Sequence, residues 1–299
     1  MKGFQEKMTT FALDMKPMIK YRGGKSKEIP QFINYIPDYQ GRYIEPFLGG
    51  GAVFFHQEPQ TAIINDINNK LITFYQEVQQ NFHHLKAELA HLEEIYTTNR
   101  EAFETRKKAH PTQRVHDDNE DLYYRLRDMY NGLAPSEYSD AALYFYINKT
   151  AYSGMIRFNR NGEYNVPYGR YKNFNTSLIT ERHSELLQRS QIFNTDYHDI
   201  FNMTQQGDFM FLDPPYDCIF SDYGNEEYRE GFNEENHREL AQAFRNLGCQ
   251  TMMVIGSTPL TRELYGNNII GEYNKNYAVN IRNRFQAAAK HIIVTNYEV

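Results

Sequence analysis

From residue 40 onward the chain alternates short apolar runs with longer amphipathic stretches. The runs are Arg42–Glu45, Ala62–Asp66, Gln191–Asn194, Phe209–Leu212 and Thr251–Ile255. Each has the length of a strand and is too short for a helix. Between them, Asn68 to about Met129 carries helical periodicity, with Leu71, Phe74, Tyr75 and Val78 on one face, and Phe82–Lys108 is charged and amphipathic. Glu137–Ile147 and Asn233–Leu247 are further helix candidates, Ser26 can cap a helix over Glu28–Ile36, and Pro259 breaks the pattern after Gly256-Ser257-Thr258. Strands that alternate with helices predict a mainly parallel α/β sheet. Near the end, Tyr277–Ile281 and Ile292–Thr295 are expected to pair as an antiparallel hairpin on that sheet.

The first two strands lie before a long helix-rich interval and the other three after it. The expected organisation is therefore a leader over 1–16, one domain formed by 17–81 and 174–299, and an inserted helical domain over 82–173. With 299 residues and 40% hydrophobic content the chain can bury a full core. No apolar run approaches the roughly 20 residues of a membrane span, so no membrane association is expected. The two cysteines, Cys218 and Cys249, form no framework, which points to a reducing, cytoplasmic setting.

A formal charge of −6 argues against a general polyanion binder, yet the charge is unevenly spread. Lys149–Arg189 holds seven basic and three acidic residues, Tyr273–Tyr297 four basic and none acidic, and Asp217–Glu235 one basic and seven acidic. Many of these charges are simply solvated faces. The distribution nonetheless leaves room for a localised nucleic-acid surface.

Three stretches carry candidate chemistry. Phe209–Leu212 runs directly into Asp213-Pro214-Pro215-Tyr216. Neither proline can extend a sheet ladder, so an acid and an aromatic are held at a strand's carboxyl end, where open α/β sheets bind ligands. Glu45-Pro46-Phe47-Leu48-Gly49-Gly50-Gly51 joins a strand to a helix start, and Asp66 tips the next strand. Glycines allow close backbone approach, and an acid at that tip can accept bonds from ribose hydroxyls. Phe54 stands where a dinucleotide fingerprint needs its third glycine, and Gly23-Gly24-Lys25 lacks the earlier glycine of a phosphate-binding P-loop. Lastly, Arg157–Tyr171 packs arginine, asparagine and tyrosine around Asn161-Gly162. That is a hairpin signal whose side chains are also of the kinds that contact bases and phosphates. The ten histidines show no His-Glu-x-x-His or similar spacing, and no metal is expected.

Taken in order, these motifs resemble the DNA adenine methylase (Dam) family of adenine-specific DNA methyltransferases. The match runs through Lys20–Lys25, Glu45–Gly51, Asn65–Asn68, Tyr152-Ser153-Gly154 with Arg157, Asn165–Gly169 and Asp213–Tyr216. The resemblance implies a Rossmann-like methyltransferase fold whose insertion is a target-recognition domain. It also implies methyl transfer from S-adenosylmethionine to the 6-amino group of adenine in a short duplex DNA site, by base flipping and without a covalent intermediate. Tyr21, Lys25, Glu45, Pro46, Phe47, Gly49, Gly51, Asp66 and Asp213 would then border the cofactor. Asp213, Pro214, Pro215 and Tyr216 would hold the adenine, and Tyr152, Ser153, Arg157, Asn159 and Arg170 would contact DNA. A cognate restriction enzyme is admitted as a partner.

Two positions depart from the family pattern. Tyr21 replaces a common tryptophan, and Ser153 stands where members that methylate GATC commonly carry asparagine, so that target is not implied. Asp-Pro-Pro-Tyr motifs also serve RNA and protein-glutamine methylation, against which the Arg157–Tyr171 stretch inside a large insertion argues. The intact Lys25, Asp66 and Asp213–Tyr216 set argues against a decayed, purely DNA-binding module.

Overall fold

A computed structural model describes residues 14–216, 232–275 and 289–299. Seven strands form one sheet: β1 (Tyr43–Glu45), β2 (Ala62–Asn65), β3 (Ser190–Phe193), β4 (Phe209–Leu212), β5 (Gln250–Gly256), β6 (Ile269–Lys275) and β7 (Ala289–Thr295). Their spatial order is β3-β2-β1-β4-β5-β7-β6. The first five are parallel to one another, while β7 runs antiparallel between β5 and β6. The order reverses between β1 and β4, and a crevice opens at the carboxyl ends of strands at such a reversal.

The sheet is doubly wound because its central strands are apolar on both faces. Phe209 and Phe211 of β4 join one buried cluster while Met210 and Leu212 join the other, and Met252 and Val254 of β5 divide from Met253 and Ile255 in the same way. The second cluster is closed by α8 (Tyr197–Asn202), α9 (Glu234–Arg245) and α10 (Pro259–Tyr265). The first is closed by α1 (Ile29–Phe32), α2 (Ala52–Gln57), α3 (Asn69–Gln80) and α7 (Glu181–Gln188). The helices between α3 and α7 belong to the same cluster: α4 (Phe82–Ala109), α5 (Asp118–Tyr130) and α6 (Asp140–Thr150). Of these α6 is buried on nearly every side, so the inserted helices continue the main core rather than forming a separate one.

Several expectations are corrected. The strand partnering β7 is β6, and the expected Tyr277–Ile281 strand lies outside the described residues. Pro259 starts a helix instead of merely ending a pattern: it occupies the first turn of α10, capped by Thr258 and Thr261. Ser26 caps nothing. Glu28 precedes α1, which has only four residues and passes into a 3-10 turn at Ile33–Tyr35. The expected leader is also too long, since Met15 is buried in the first cluster. No helix among the described residues is long and apolar enough to cross a membrane.

Candidate active site

The crevice is assembled from the carboxyl ends of β1, β2 and β4 and from the loop before α1. The glycine turn after β1 has little freedom. Gly49 and Gly51 have φ of 50° and 66°, where side-chain-bearing residues are strained. A Cβ on Gly49 would also lie 2.9 Å from the Tyr21 ring. The turn is tied down by Asp66, which accepts hydrogen bonds from Gly49 N at 2.8 Å and Asn68 N at 2.9 Å. Asp66 is buried, and that burial raises its pKa to about 6 despite these two bonds. Behind it, the Asn65 side chain donates to the carbonyls of Pro46 and Thr195, locking β1 to the chain after β3.

Lys25 is the centre of the site. Its side chain is only 2% exposed, and its Nζ lies 2.5 Å from both carboxylate oxygens of Asp213 and donates to Tyr216 OH at 2.5 Å. The Gly23 carbonyl accepts a fourth bond at 3.0 Å. Burial lowers the lysine's pKa, while Asp213 and Glu28 oppose that shift. One cation thus orients the acid and the tyrosine of the Asp213–Tyr216 segment. Glu45 lies beneath, buried, and accepts from Tyr43 OH at 2.6 Å. Desolvation pushes its pKa up to about 8, so it is mainly protonated at neutral pH.

Tyr21, Lys25, Glu45, Pro46, Phe47, Gly49, Asp66 and Asp213–Tyr216 all line the crevice. Gly51 does not: it precedes α2, and a Cβ there would lie 2.7 Å from the Phe55 ring. Ile67, within the Asn65–Asn68 motif, also lines the crevice, as do Thr195 and Tyr197, which nothing in their local sequence marks. Tyr197 is placed there by α8, packing on Phe47 with ring centroids 5.2 Å apart.

The expected hairpin is present. Antiparallel bridges join Ala151 to Tyr168 and Phe158 to Tyr164. Asn159 is a turn-former, accepting from Asn161 N and Glu163 N and donating to the Glu163 carboxylate. Arg157 reaches across to Asn165, donating to its side-chain oxygen at 2.8 Å and its carbonyl at 3.2 Å. Arg170 pairs with Glu120 of α5 at 3.0 Å. Tyr152 is 55% exposed, and Ser153 beside it has φ 55°. The hairpin's base is joined to the crevice through Lys20, whose backbone exchanges hydrogen bonds with the Asn148 side chain of α6 and whose Nζ lies 4.2 Å from the Tyr171 ring centroid.

This strand order, with an antiparallel β7 between β5 and β6, is that of the Rossmann-like methyltransferase fold. The chain belongs to the D12 class of N6 adenine-specific DNA methyltransferases, whose family description matches residues 21–281. It is 32% identical over 291 residues to the type II methyltransferase M.CviBI of Paramecium bursaria Chlorella virus NC1A, covering 95% of this chain and 100% of that protein. It is 31% identical over 294 residues to the type II methyltransferase M1.LlaDCHI of Lactococcus lactis subsp. cremoris, covering 95% and 96%. A DNA adenine methylase of Salmonella typhi is 27% identical over 257 residues, 84% of each chain. The chain is therefore an adenine-specific DNA methyltransferase.

Proposed function

We propose that this methyltransferase moves a methyl group from S-adenosylmethionine to the 6-amino group of adenine in a short duplex DNA site, by direct transfer to a flipped base. The observation that carries this reading is the Lys25–Asp213–Tyr216 cluster at the reversal point of the sheet. The donor set suits the cofactor: a buried acid at a strand tip, a glycine turn that a Cβ would obstruct, and apolar walls from Phe47, Ile67 and Tyr197. Tyr21, Lys25, Glu45, Pro46, Phe47, Gly49, Asp66 and Asp213 would hold it, with Gly51 supporting the turn. When bound, the cofactor supplies an electrophilic methyl group.

The remaining work falls to the chain. The adenine amine is a poor nucleophile because its lone pair is delocalised into the ring. Asp213 and the Pro214 carbonyl would accept hydrogen bonds from its two N–H groups and favour a pyramidal nitrogen, which is charge stabilisation directed at the transition state. As the N–C bond forms and the sulfonium S–C bond breaks, the one proton the nitrogen sheds would leave by way of Asp213 to solvent. Lys25 holds the acid and the tyrosine in register. Tyr216 stacks on the extruded base, because the methyl donor cannot reach a stacked one.

Residues 17–81 and 174–299 are assigned to catalysis and 82–173 to target recognition, with Tyr152, Ser153, Arg157, Asn159 and Arg170 facing DNA. The cell compartment is the cytoplasm. Two relatives are named type II methyltransferases, which is the ground for proposing a companion restriction enzyme. The test offers methyl-labelled S-adenosylmethionine with duplex DNA, RNA and glutamine-bearing protein, followed by long-read mapping of modified adenines. Label in duplex DNA at one recurrent site is expected. Label confined to RNA or protein overturns the reading.

A further inference from the structure

A second polar cluster, outside the crevice lining, lies against its tyrosine. The inward face of β6 carries Tyr273 and Lys275, and both converge on Glu28. Lys275 Nζ lies 2.7 Å from Glu28 Oε1, Tyr273 OH donates to Oε2 at 2.8 Å, and His291 Nδ1 of β7 lies 2.8 Å from the same Oε2. Glu28 is itself one turn past Lys25, since its backbone N donates to the Lys25 carbonyl at 2.7 Å. His291 is 1% exposed and is paired in the sheet with Gly256 on one side and Tyr273 on the other. Its ring centroid is 5.0 Å from that of Tyr216, tilted 59°. A Cβ on Gly256 would come 4.0 Å from Tyr216 Cγ, so Tyr216 rests over this register pair.

We propose that Glu28 and His291 are a positioning pair: the carboxylate fixes the imidazole, and the imidazole fixes the Tyr216 ring in the attitude that receives the target base. This rests on the reading of Tyr216 given above. Three features favour it over a merely structural role. None of Glu28, Tyr273, Lys275 or His291 lines the crevice, whereas Tyr216 and Lys25 do, so among the described residues the pair meets the crevice through these two. The imidazole that donates from Nδ1 to Glu28 leaves Nε2 buried with no hydrogen-bond partner among the described residues. A buried polar atom without a partner is costly, so what the imidazole contributes among the described residues is its Nδ1 bond to Glu28, which sets its orientation. Burial lowers the pKa of His291, and the nearby Lys25 and Lys275 add to that shift against the opposing bond to Glu28.

The test is a double-mutant cycle with Glu28→Gln, His291→Ala and Tyr216→Ala, read by single-turnover methyl transfer, by S-adenosylmethionine affinity, and by fluorescence of 2-aminopurine at the target position. Glu28→Gln and His291→Ala are expected to slow transfer roughly tenfold, the scale of a small misplacement of a reacting group. Cofactor affinity should stay within about twofold for His291→Ala, which does not line the crevice, and should fall less than the rate for Glu28→Gln, whose charge also acts on Lys25. In the Tyr216→Ala background His291→Ala should have no further effect, and Glu28→Gln should lose clearly less than it does in the wild type, keeping only what acts through Lys25, since coupled residues are not additive. Additive losses, or a loss of cofactor affinity as large as the loss of rate, overturn the pair. Glu28→Gln keeps the shape of the buried site, so should His291→Ala fail to fold, the cycle through Glu28 decides alone. If Tyr216→Ala itself transfers at the wild-type rate, the role given to Tyr216 fails first, and that outcome is distinct from additivity.

Discussion

The crevice and the hairpin use the same kinds of side chain in opposite ways. In the crevice, Lys25 bonds to Asp213 and Tyr216 of one segment far along the chain, with Glu45 and Asp66 buried beside them. In the hairpin, Arg157, Asn159 and Arg170 are partly or largely exposed, and their partners are Asn165, Glu163 and Glu120. The first arrangement holds charges in place before substrate arrives, which is what transition-state stabilisation requires. The second spends its polar groups on the hairpin's own shape, and a base can be read only if some of those bonds are exchanged. Chemistry and recognition should therefore respond differently to mutation.

The largest effect is expected at Asp213. Asp213→Ala removes the counter-ion of a buried lysine and, in the proposed mechanism, the acceptor for the amine. Removal of one such group typically costs about 100- to 1,000-fold in rate. A single-turnover rate near wild type would remove Asp213 from the chemistry.

Glu45 probes the same preorganisation through stability. Its folded pKa of about 8 exceeds its ordinary 4.5, so the fold binds its proton more tightly than the unfolded chain does. Its stabilising contribution is complete below about pH 4.5 and is lost as pH rises toward 8, with a slope approaching about 1.4 kcal/mol per pH unit inside that window. Glu45→Gln imitates the protonated acid and can still accept from Tyr43. Denaturant melts of the ligand-free protein should show a flatter pH profile for the variant, with its advantage growing toward pH 8. Parallel profiles would mean that Glu45 is ionised in the fold.

Asp66 separates cofactor binding from architecture. Asp66→Ala is expected to weaken S-adenosylmethionine binding by about 1.5–3 kcal/mol, the range for a hydrogen bond to a charged group. The same carboxylate holds Gly49 N and Asn68 N, so part of that loss acts through the turn. Calorimetry on Asp66→Asn, which can still accept one of those bonds, apportions the two. Unchanged affinity in folded Asp66→Ala would free Asp66 of any cofactor role.

How much of this could be read beforehand depended on whether the signal was local. β4 matches its apolar run, Phe209–Leu212, residue for residue, because a strand buried on both faces is continuously apolar. β6 was missed because its inward face carries Gly271, Tyr273 and Lys275, polar or small groups that give no apolar alternation. α7, α8 and α10 have eight, six and seven residues, too few for periodicity to declare itself. Lys25 and Asp213 were named from their motifs, but no local pattern pairs Glu28 with His291. Those two meet only in the fold, where the register of β7 sets His291 beside Tyr273 and both side chains reach Glu28 before α1. The acidic stretch from Asp217 to Glu230 and the basic Arg282 and Arg284 lie outside the described residues.

Arg157 tests whether the hairpin reads bases. A guanidinium that leaves Asn165 for a guanine edge discriminates by roughly 1–3 kcal/mol at one base pair. A phosphate contact weakens all sequences alike and lowers the salt slope by about one. Arg157→Ala is therefore expected to blunt preference at a single position of the mapped site. If every single-base variant of the site slows by one common factor, Arg157 is structural or a backbone contact.

The smallest effect concerns Ser153, which lies in the turn between α6 and the hairpin with φ 55° and ψ 14°. A serine pays a steric penalty there that asparagine pays less often. The strain is tolerated because the turn is held at both ends, Tyr152 N donating to the Pro167 carbonyl at 2.9 Å and Met155 N to the Tyr152 carbonyl at 3.1 Å. Ser153→Asn should relieve part of it and raise stability by about 0.5 kcal/mol, or roughly 1–2 °C in melting temperature for a chain of this size. Base preference gives the second readout. If Ser153 only shapes the turn, the map of methylated sites is unchanged and the melting temperature rises. If asparagine shifts the preferred site while the melting temperature stays put, residue 153 contacts DNA directly, and the hairpin is less self-contained than its internal bonds imply.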